Sequence, residues 1–382
     1  MPTAVGPNTY GEENLVFGYD LGDVSNSYKG EPTTNVIAGT NLVNVVAGTF
    51  TTNTTVGGVR ILENTQVNNS HVMWNGATGF IVTCSAGAYI TVSAEYKTTC
   101  TIRMRFRDNP YDSQYDIDGG NIATISQVDV DIPNTQGEWV RYSATAQTST
   151  ANPDLWWYLV DYRNNNQFGR VEIRNWQIEV KSHPTPYVNV TRSATQGLID
   201  LKGNSTIDLS NVSFDSNAQM TFDGTNDYVE IGGYFNYSNA TLSMWIHPYS
   251  ISNITIPVSK NTLSSPHLYG YIQYYNGQLR FYAPGNNLTV NWGSLSTNTW
   301  YHIVLTVDGA WHVAYKNGVQ ISSQASSLGL FTGEYNVQLG RYGNGSPYIY
   351  NGLINSFQIY NRALTASEVK ANFNAVKSRF GI

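Results

Sequence analysis

Strand signals recur along the whole chain, roughly every 8–12 residues, with Gly, Asn, Asp or Ser turns between them. Runs that short leave no room for ordinary helices, and they close into sandwiches or barrels. The spacing therefore predicts an all-β protein. Composition agrees where it bears on this point. Only 13% of residues are charged, and 27 tyrosines and 9 tryptophans accompany abundant Asn, Thr, Ser and Gly. β-branched and aromatic side chains pack well on a pleated surface, whereas disorder needs low hydrophobicity and high net charge. At 382 residues the chain is long enough for two domains, each able to bury a core without metal or disulfide help.

The punctuation suggests where those domains fall. Residues 1–40 are rich in Gly, Asn and Thr and read as an N-terminal arm or lead-in. Strand runs from 41 to 190, including residues 42–47, 89–96, 100–107 and 155–162, make a first sandwich. The stretch Ser182-His-Pro-Thr-Pro-Tyr187 leads into a linker, 191–217, and a second set of strands occupies 218–382. Within that set YYNGQL and YKNGVQ are Asn-Gly hairpins. Only the C-terminus reads as helix. Thr365-Ala-Ser-Glu368 is a capping box, and Val369, Phe373 and Val376 recur on one face after it.

Four segments in order carry a resemblance. Phe222-Asp-Gly-Thr-Asn-Asp-Tyr-Val229 resembles the opening strand pair of laminin-G-like, concanavalin-A-like jelly rolls. Thr299-Trp-Tyr-His-Ile-Val-Leu-Thr-Val-Asp-Gly309 resembles their WYHVxxTxDG strand, and Tyr315-Lys-Asn-Gly-Val319 the hairpin after it. The segment from Asn351 to Thr365 resembles their closing strand, with Asn355-Ser356 where the family often has Asp-Glu. The first domain is similar to galactose-binding-like jelly rolls of carbohydrate-binding modules, through Gly137-Glu-Trp-Val-Arg-Tyr-Ser143. Asn175-Trp-Gln-Ile-Glu179 and Thr185-Pro-Tyr187 resemble an ending common in phage virion proteins. The resemblances imply two tandem antiparallel jelly-roll β-sandwiches with a short C-terminal helix. They also imply a non-enzymatic structural protein of a tailed bacteriophage, a head decoration or fibre or a tail-associated adhesin. Such a protein would assemble in the host cytoplasm into the virion. Its partners would be other virion proteins, itself as a homo-oligomer, and host surface glycans.

Several function classes are set aside on the residues alone. The formal net charge is −6, with no dense Lys/Arg cluster, so the basic stripe of a nucleic-acid binder is missing. No apolar run approaches the ~20 residues of a membrane span. The opening MPTAVGPNTYGEENLVFGYDLG lacks a basic segment followed by an apolar one, so export by a standard signal is not expected. Cys84 and Cys100 sit in strand-like runs and could either pair or remain free thiols.

Chemistry was sought in paired carboxylates. Gln127-Val-Asp-Val-Asp131 has two at alternate positions but lacks a glutamate. Glu172 and Glu179 fall on opposite faces of a regular strand unless a bulge intervenes. Neither set suits a glycosidase, no nucleophile elbow or zinc spacing is present, and no catalytic residue is assigned. No cofactor is expected. Calcium is the one candidate ion, at Asp112, Asp116 and Asp118 in an acidic loop. The best candidate for binding is an aromatic and basic face. Arg103, Arg105 and Arg107 alternate with Ile102, Met104 and Phe106, and Trp156, Tyr158 and Tyr162 share one parity. Tyr, Trp and Arg suit a protein interface first and a sugar platform second. Tyr269, Tyr271, Tyr274 and Trp292 form a weaker candidate in the second domain. A soluble lectin-like protein is the alternative to the virion reading, and a polysaccharide-degrading enzyme ranks below both.

Overall fold

The computed structural model describes residues 11–37, 52–64, 71–73, 80–108, 128–148, 151–160, 169–215, 217–233, 235–251, 254–260, 270–283, 287–330, 336–343 and 348–382. Every strand pairing among them is antiparallel. The chain divides into two compact units: residues before Thr33 join those after Arg192, and Thr33–Arg192 form the other. One is therefore an insertion into the sequence of the other.

The discontinuous unit is a sandwich of two sheets. One runs Ser213–Phe214, Met220–Asp223, Asn351–Tyr360, Asn239–Pro248, Tyr301–Asp308, Trp311–Lys316, Val319–Ala325, with Leu15–Asp20 also paired to Asn351–Tyr360. The other runs Ile207–Asn211, Tyr228–Ile231, Val337–Leu339, Val258–Ser259, Tyr271–Tyr275, Gln278–Ala283, Leu288–Ser294. Alternate residues of a strand point to opposite faces. One parity of each sheet therefore feeds a single core that includes Met244, Leu305 and Phe357 from the first and Val229, Ile272, Phe281 and Trp292 from the second.

Of the expected arm, residues 11–32 belong to this sandwich and 33–37 to the other unit, and of the expected linker the described residues from Ser193 on belong to this sandwich. Phe17 and Tyr19 point into this core and are fully buried, while Leu15, before a register shift, packs with Val304, Tyr360 and Leu364. Leu198, Ile207 and Leu209, expected in a linker, lie in the same core. A period-two apolar pattern decides both cases, because burying those side chains outweighs the local Gly and Asn content.

Both Asn-Gly hairpins form, with φ positive at Asn276, Gly277, Asn317 and Gly318. That is the geometry a two-residue turn needs to match strand twist. The outer face of the first sheet is covered by the helix Ala366–Val376 and the 3-10 turn Lys377–Phe380. Trp245 lies beneath them, its ring 4.1 Å from Phe380 and nearly parallel to it. The capping box is complete: Thr365 Oγ1 accepts from the Glu368 N–H, and the Glu368 carboxylate accepts from the Thr365 N–H. Among the described residues no helix is long and apolar enough to cross a membrane.

The inserted unit also has two sheets. One runs Val140–Gln147, Tyr89–Thr98, Gly169–Glu179, Val59–Asn64, Thr52–Val56; the other runs His71–Met73, Asp154–Val160, Ile102–Asp108, Val128–Ile132, with Phe80–Ile81 also against Asp154–Val160. Ile90, Val92, Ala94 and Tyr96 meet Ile102, Met104, Ile132 and Leu155 in its core. Cys84 and Cys100 are free thiols, half-buried and buried. The expected strand at 42–47 lies outside the described residues.

Candidate functional site

In the inserted unit, backbone register brings the two expected halves of the Arg/Trp/Tyr face together. Arg107 stands opposite Trp156, Arg105 opposite Tyr158 and Arg103 opposite Val160. Directly opposed residues share a face, and Ile102 and Met104, of the other parity, are in the core. Arg103, of the parity opposite to Ile102 and Met104, is half-buried. On the other side of this strand Arg105 and Arg103 stand opposite Asp129 and Asp131. Arg103 Nη2 donates to Asp131 at 3.0 Å, and that hydrogen-bonded guanidinium holds the Asp131 carboxyl below the usual range. Arg103 is therefore already partnered. The description of Arg105, Arg107, Trp156 and Tyr158 stops at the backbone, while Tyr162 and the calcium candidates Asp112, Asp116 and Asp118 lie outside the described residues.

The two glutamates weighed for catalysis are occupied as well. A bulge between Arg174 and Gln177, with φ positive at Asn175, shifts the register. It puts Glu172 and Glu179 on one face after all, opposite Lys97 and Thr91. Glu179, buried, accepts from Thr33 Oγ1 and from the Thr185 N–H and Oγ1. Glu172 pairs with Arg170 at 2.9 Å.

The most developed surface lies elsewhere, on the outer face of the seven-stranded sheet. In Tyr271–Tyr275 the apolar parity, Ile272 and Tyr274, enters the core, which turns Tyr271, Gln273 and Tyr275 outward. In Gln278–Ala283 the inward set is Leu279, Phe281 and Ala283, leaving Gln278, Arg280 and Tyr282 outward. The hairpin then fixes the register: Tyr271 faces Tyr282 and Gln273 faces Arg280.

The result is a continuous row of rings. Tyr348 lies 6.4 Å from Tyr342, Tyr342 4.8 Å from Tyr271, and Tyr271 5.8 Å from Tyr282, each pair edge to face. The Arg280 guanidinium continues the row, 4.5 Å over Tyr282 and 4.1 Å over Tyr275. Tyr275 and Tyr348, at the two ends, are each 38% exposed. Nearer the far edge of the sheet Arg341 lies 3.2 Å over the Tyr228 ring. Glu230 accepts from Asn336 Nδ2 and Gln338 Nε2. Burial, and then the neighbouring phenols of Tyr342 and Tyr282, raise the Tyr271 hydroxyl above its ordinary value. It stays protonated at neutral pH, able both to donate and to accept.

Of the sequence candidates in this unit, Tyr271 belongs to the row. Trp292 does not. It shares parity with Leu288 and Val290, is fully buried, and donates its indole N–H to the carbonyls of Val304 and Tyr315, both at 3.1 Å. Tyr274 is likewise core, and Tyr269 lies outside the described residues. Tyr282, Tyr342, Tyr348, Gln273 and Arg280 were not anticipated. The signal for three of them was present: counting back from the Asn-Gly turn pairs Tyr275 with Gln278, Gln273 with Arg280 and Tyr271 with Tyr282.

The whole row lies within one recognisable stretch of the chain. Residues 223–370 match the Laminin_G_3 family, described as the concanavalin A-like lectin/glucanases superfamily. No curated protein matches the sequence. Solved structures that match part of the chain include the binding domain of Paraclostridial mosquitocidal protein 1, 19% identical over 47% of this chain and 49% of that one, TM-score 0.38. The botulinum neurotoxin serotype D binding domain is 18% identical over 48% and 50%, TM-score 0.40. A Trypanosoma rangeli sialidase is 16% identical over 47% and 31%, TM-score 0.36. The chain spans about half the length of the two toxin domains, and no residue role or ligand is carried over from any of the three.

Proposed function

We propose that this protein is a non-catalytic carbohydrate-binding module whose binding face is the tyrosine row of the seven-stranded sheet. The observation that carries the reading is the run Tyr348, Tyr342, Tyr271, Tyr282 and Tyr275, exposed at both ends, with Tyr271, Tyr275 and Tyr282 on strands of one sheet and Tyr342 and Tyr348 after the strand Val337–Leu339. Sugar rings present apolar C–H faces that lie against aromatic rings, and hydroxyls that need donors and acceptors. Phenols supply both. A sheet positions these groups before the ligand arrives, so little ordering entropy is lost on binding. The lectin/glucanase family description of residues 223–370 supports the same direction. A binding role rather than a hydrolytic one is supported by the described carboxylates of this face, which are engaged: Glu230 with two amides and Asp208 with Ser210. A glycosidase needs a free pair flanking the bond.

The test is calorimetric titration of the full chain with a panel of neutral oligosaccharides. Tyr282→Ala and Tyr275→Ala are each expected to weaken binding about tenfold, the equivalent of ~1.4 kcal/mol. A panel without binding, or variants that bind as well as the parent, would contradict the reading.

The setting we propose is a tailed-bacteriophage particle, in which the protein serves as a structural adhesin meeting host glycans. The paired sandwiches and the phage-like segment Asn175–Glu179 with Thr185-Pro-Tyr187 support it. Mass spectrometry of purified particles is expected to detect the chain, and its consistent absence would sink this setting.

A further inference from the structure

The tyrosine row contains a cation, Arg280, that no carboxylate among the described residues pairs with. Several described arginines pair with an acid: Arg362 holds Glu368, Arg379 holds Asp20, Arg174 holds Glu95 and Arg170 holds Glu172. Arg280 differs. Its guanidinium lies over the Tyr275 and Tyr282 rings. With the Gln273 amide turned so that its oxygen faces the arginine, that oxygen accepts from Nε at 3.0 Å and Nη2 at 2.9 Å. Among the described residues no carboxylate comes within ion-pair distance of it, and Nη1 has no protein partner. The acids of this face, Glu230 and Asp208, sit on strands four and five places away in the sheet order. At ~4.8 Å per strand that is about 19 Å or more, beyond the ~8 Å Debye length of physiological salt.

Two rings and one amide thus fix the plane of a guanidinium and leave a side of its fork open beside a sugar-sized aromatic row. A planar fork of donors matches a carboxylate or sulfate geometrically as well as electrically. Resting on the carbohydrate reading of this same face, we infer that Arg280 makes it selective for acidic glycans, with the anionic group of the sugar on the guanidinium and its ring on Tyr282 or Tyr275. The charge of the ligand takes the place of a carboxylate partner, which the described residues do not provide.

The experiment titrates the full chain with trigalacturonate and with its methyl ester, which differ only in the charge. A second pair, a sulfated galactan trisaccharide and its desulfated form, distinguishes a sulfate from a carboxylate source. At low salt the charged member of at least one pair is expected to bind about tenfold more tightly, a ~1.4 kcal/mol preference. That preference should shrink toward none at high salt. Arg280→Gln is expected to bring the charged and neutral members to the same affinity, whereas Tyr282→Ala weakens both members and leaves the preference between them in place. If the parent binds charged and neutral sugars equally and Tyr282→Ala weakens both, the inference is overturned and the carbohydrate reading stands. A preference unchanged in Arg280→Gln also overturns it. If no sugar binds the parent, both fail. Should Arg280→Gln not fold, the salt dependence of the parent decides: a charged-sugar preference that persists undiminished at high salt overturns the inference.

Discussion

His302 and His312 are imidazoles enclosed in the core of the discontinuous unit, and burial keeps both neutral. His302 is fully buried, its Nε2 beside Ser243 Oγ at 2.9 Å, and desolvation pushes it down to about 3 from an ordinary 6.5. His312 stacks on Phe281 with no partner for either ring nitrogen, and burial pushes it to about 4 despite the opposing charge of Asp308. In each case the folded pKa lies below the unfolded one, so the folded state binds fewer protons. Their contribution is whole above pH 6.5 and is lost as pH falls toward 4 and then 3. At pH 5 each group costs about 2 kcal/mol relative to pH 7, so thermal melts are expected to fall steeply across that interval. His312→Leu removes two unpaired buried nitrogens and should raise the melting temperature and flatten the pH profile. A steeper profile, or a lower melting temperature at pH 5, would count against this account. Trp292 teaches a related lesson. Its aromatic character suggested a binding surface, but strand parity with Leu288 and Val290 placed it in the core, and parity was readable in the sequence. Trp292→Ala should destabilise by about 3–5 kcal/mol in a denaturant titration.

At the scale of elements, local chemistry was legible and long-range register was not. The Asn-Gly hairpins and the Thr365 capping box follow from a few adjacent residues, and both form. The bulge at Asn175 that reunites Glu172 and Glu179 depends on pairing with Tyr89–Thr98, which no local window contains. The C-terminal turn illustrates what such an element contributes. Phe380 covers Trp245 at 4.1 Å and Trp300 at 4.6 Å, and aromatic contacts of this kind add ~0.5–1.5 kcal/mol each beyond the area they bury. Phe380→Ala is expected to shift tryptophan emission to the red and to lower stability by about 3 kcal/mol. Unchanged emission would mean the turn does not shield these rings. Thr365→Ala should cost about 1 kcal/mol through the lost cap, read by the same melts.

For the whole molecule, the strand Leu15–Asp20 closes onto Asn351–Tyr360 at the other end of the chain. A segment whose partner is that distant reads locally as a lead-in, although its alternation of Leu15, Phe17 and Tyr19 already marked a half-buried strand. A chain beginning at Ser193 would lack this strand and expose the apolar surface it covers, and is expected to aggregate or melt early, whereas loss of a mere arm would be neutral. The functional surface follows the same division. Tyr271 was visible as a candidate, but the row through Tyr282 and Tyr342 exists only because the hairpin register and the loop after Val337–Leu339 bring separate segments to one face. Hydroxyl-radical footprinting of the full chain with and without saturating acidic oligosaccharide tests that face most directly. The account predicts protection of Tyr275, Tyr282 and Tyr348 with no change at the exposed Trp311 of the opposite sheet. Protection confined to the strands Ile102–Asp108 and Asp154–Val160, with the tyrosine row as reactive as before, would contradict it.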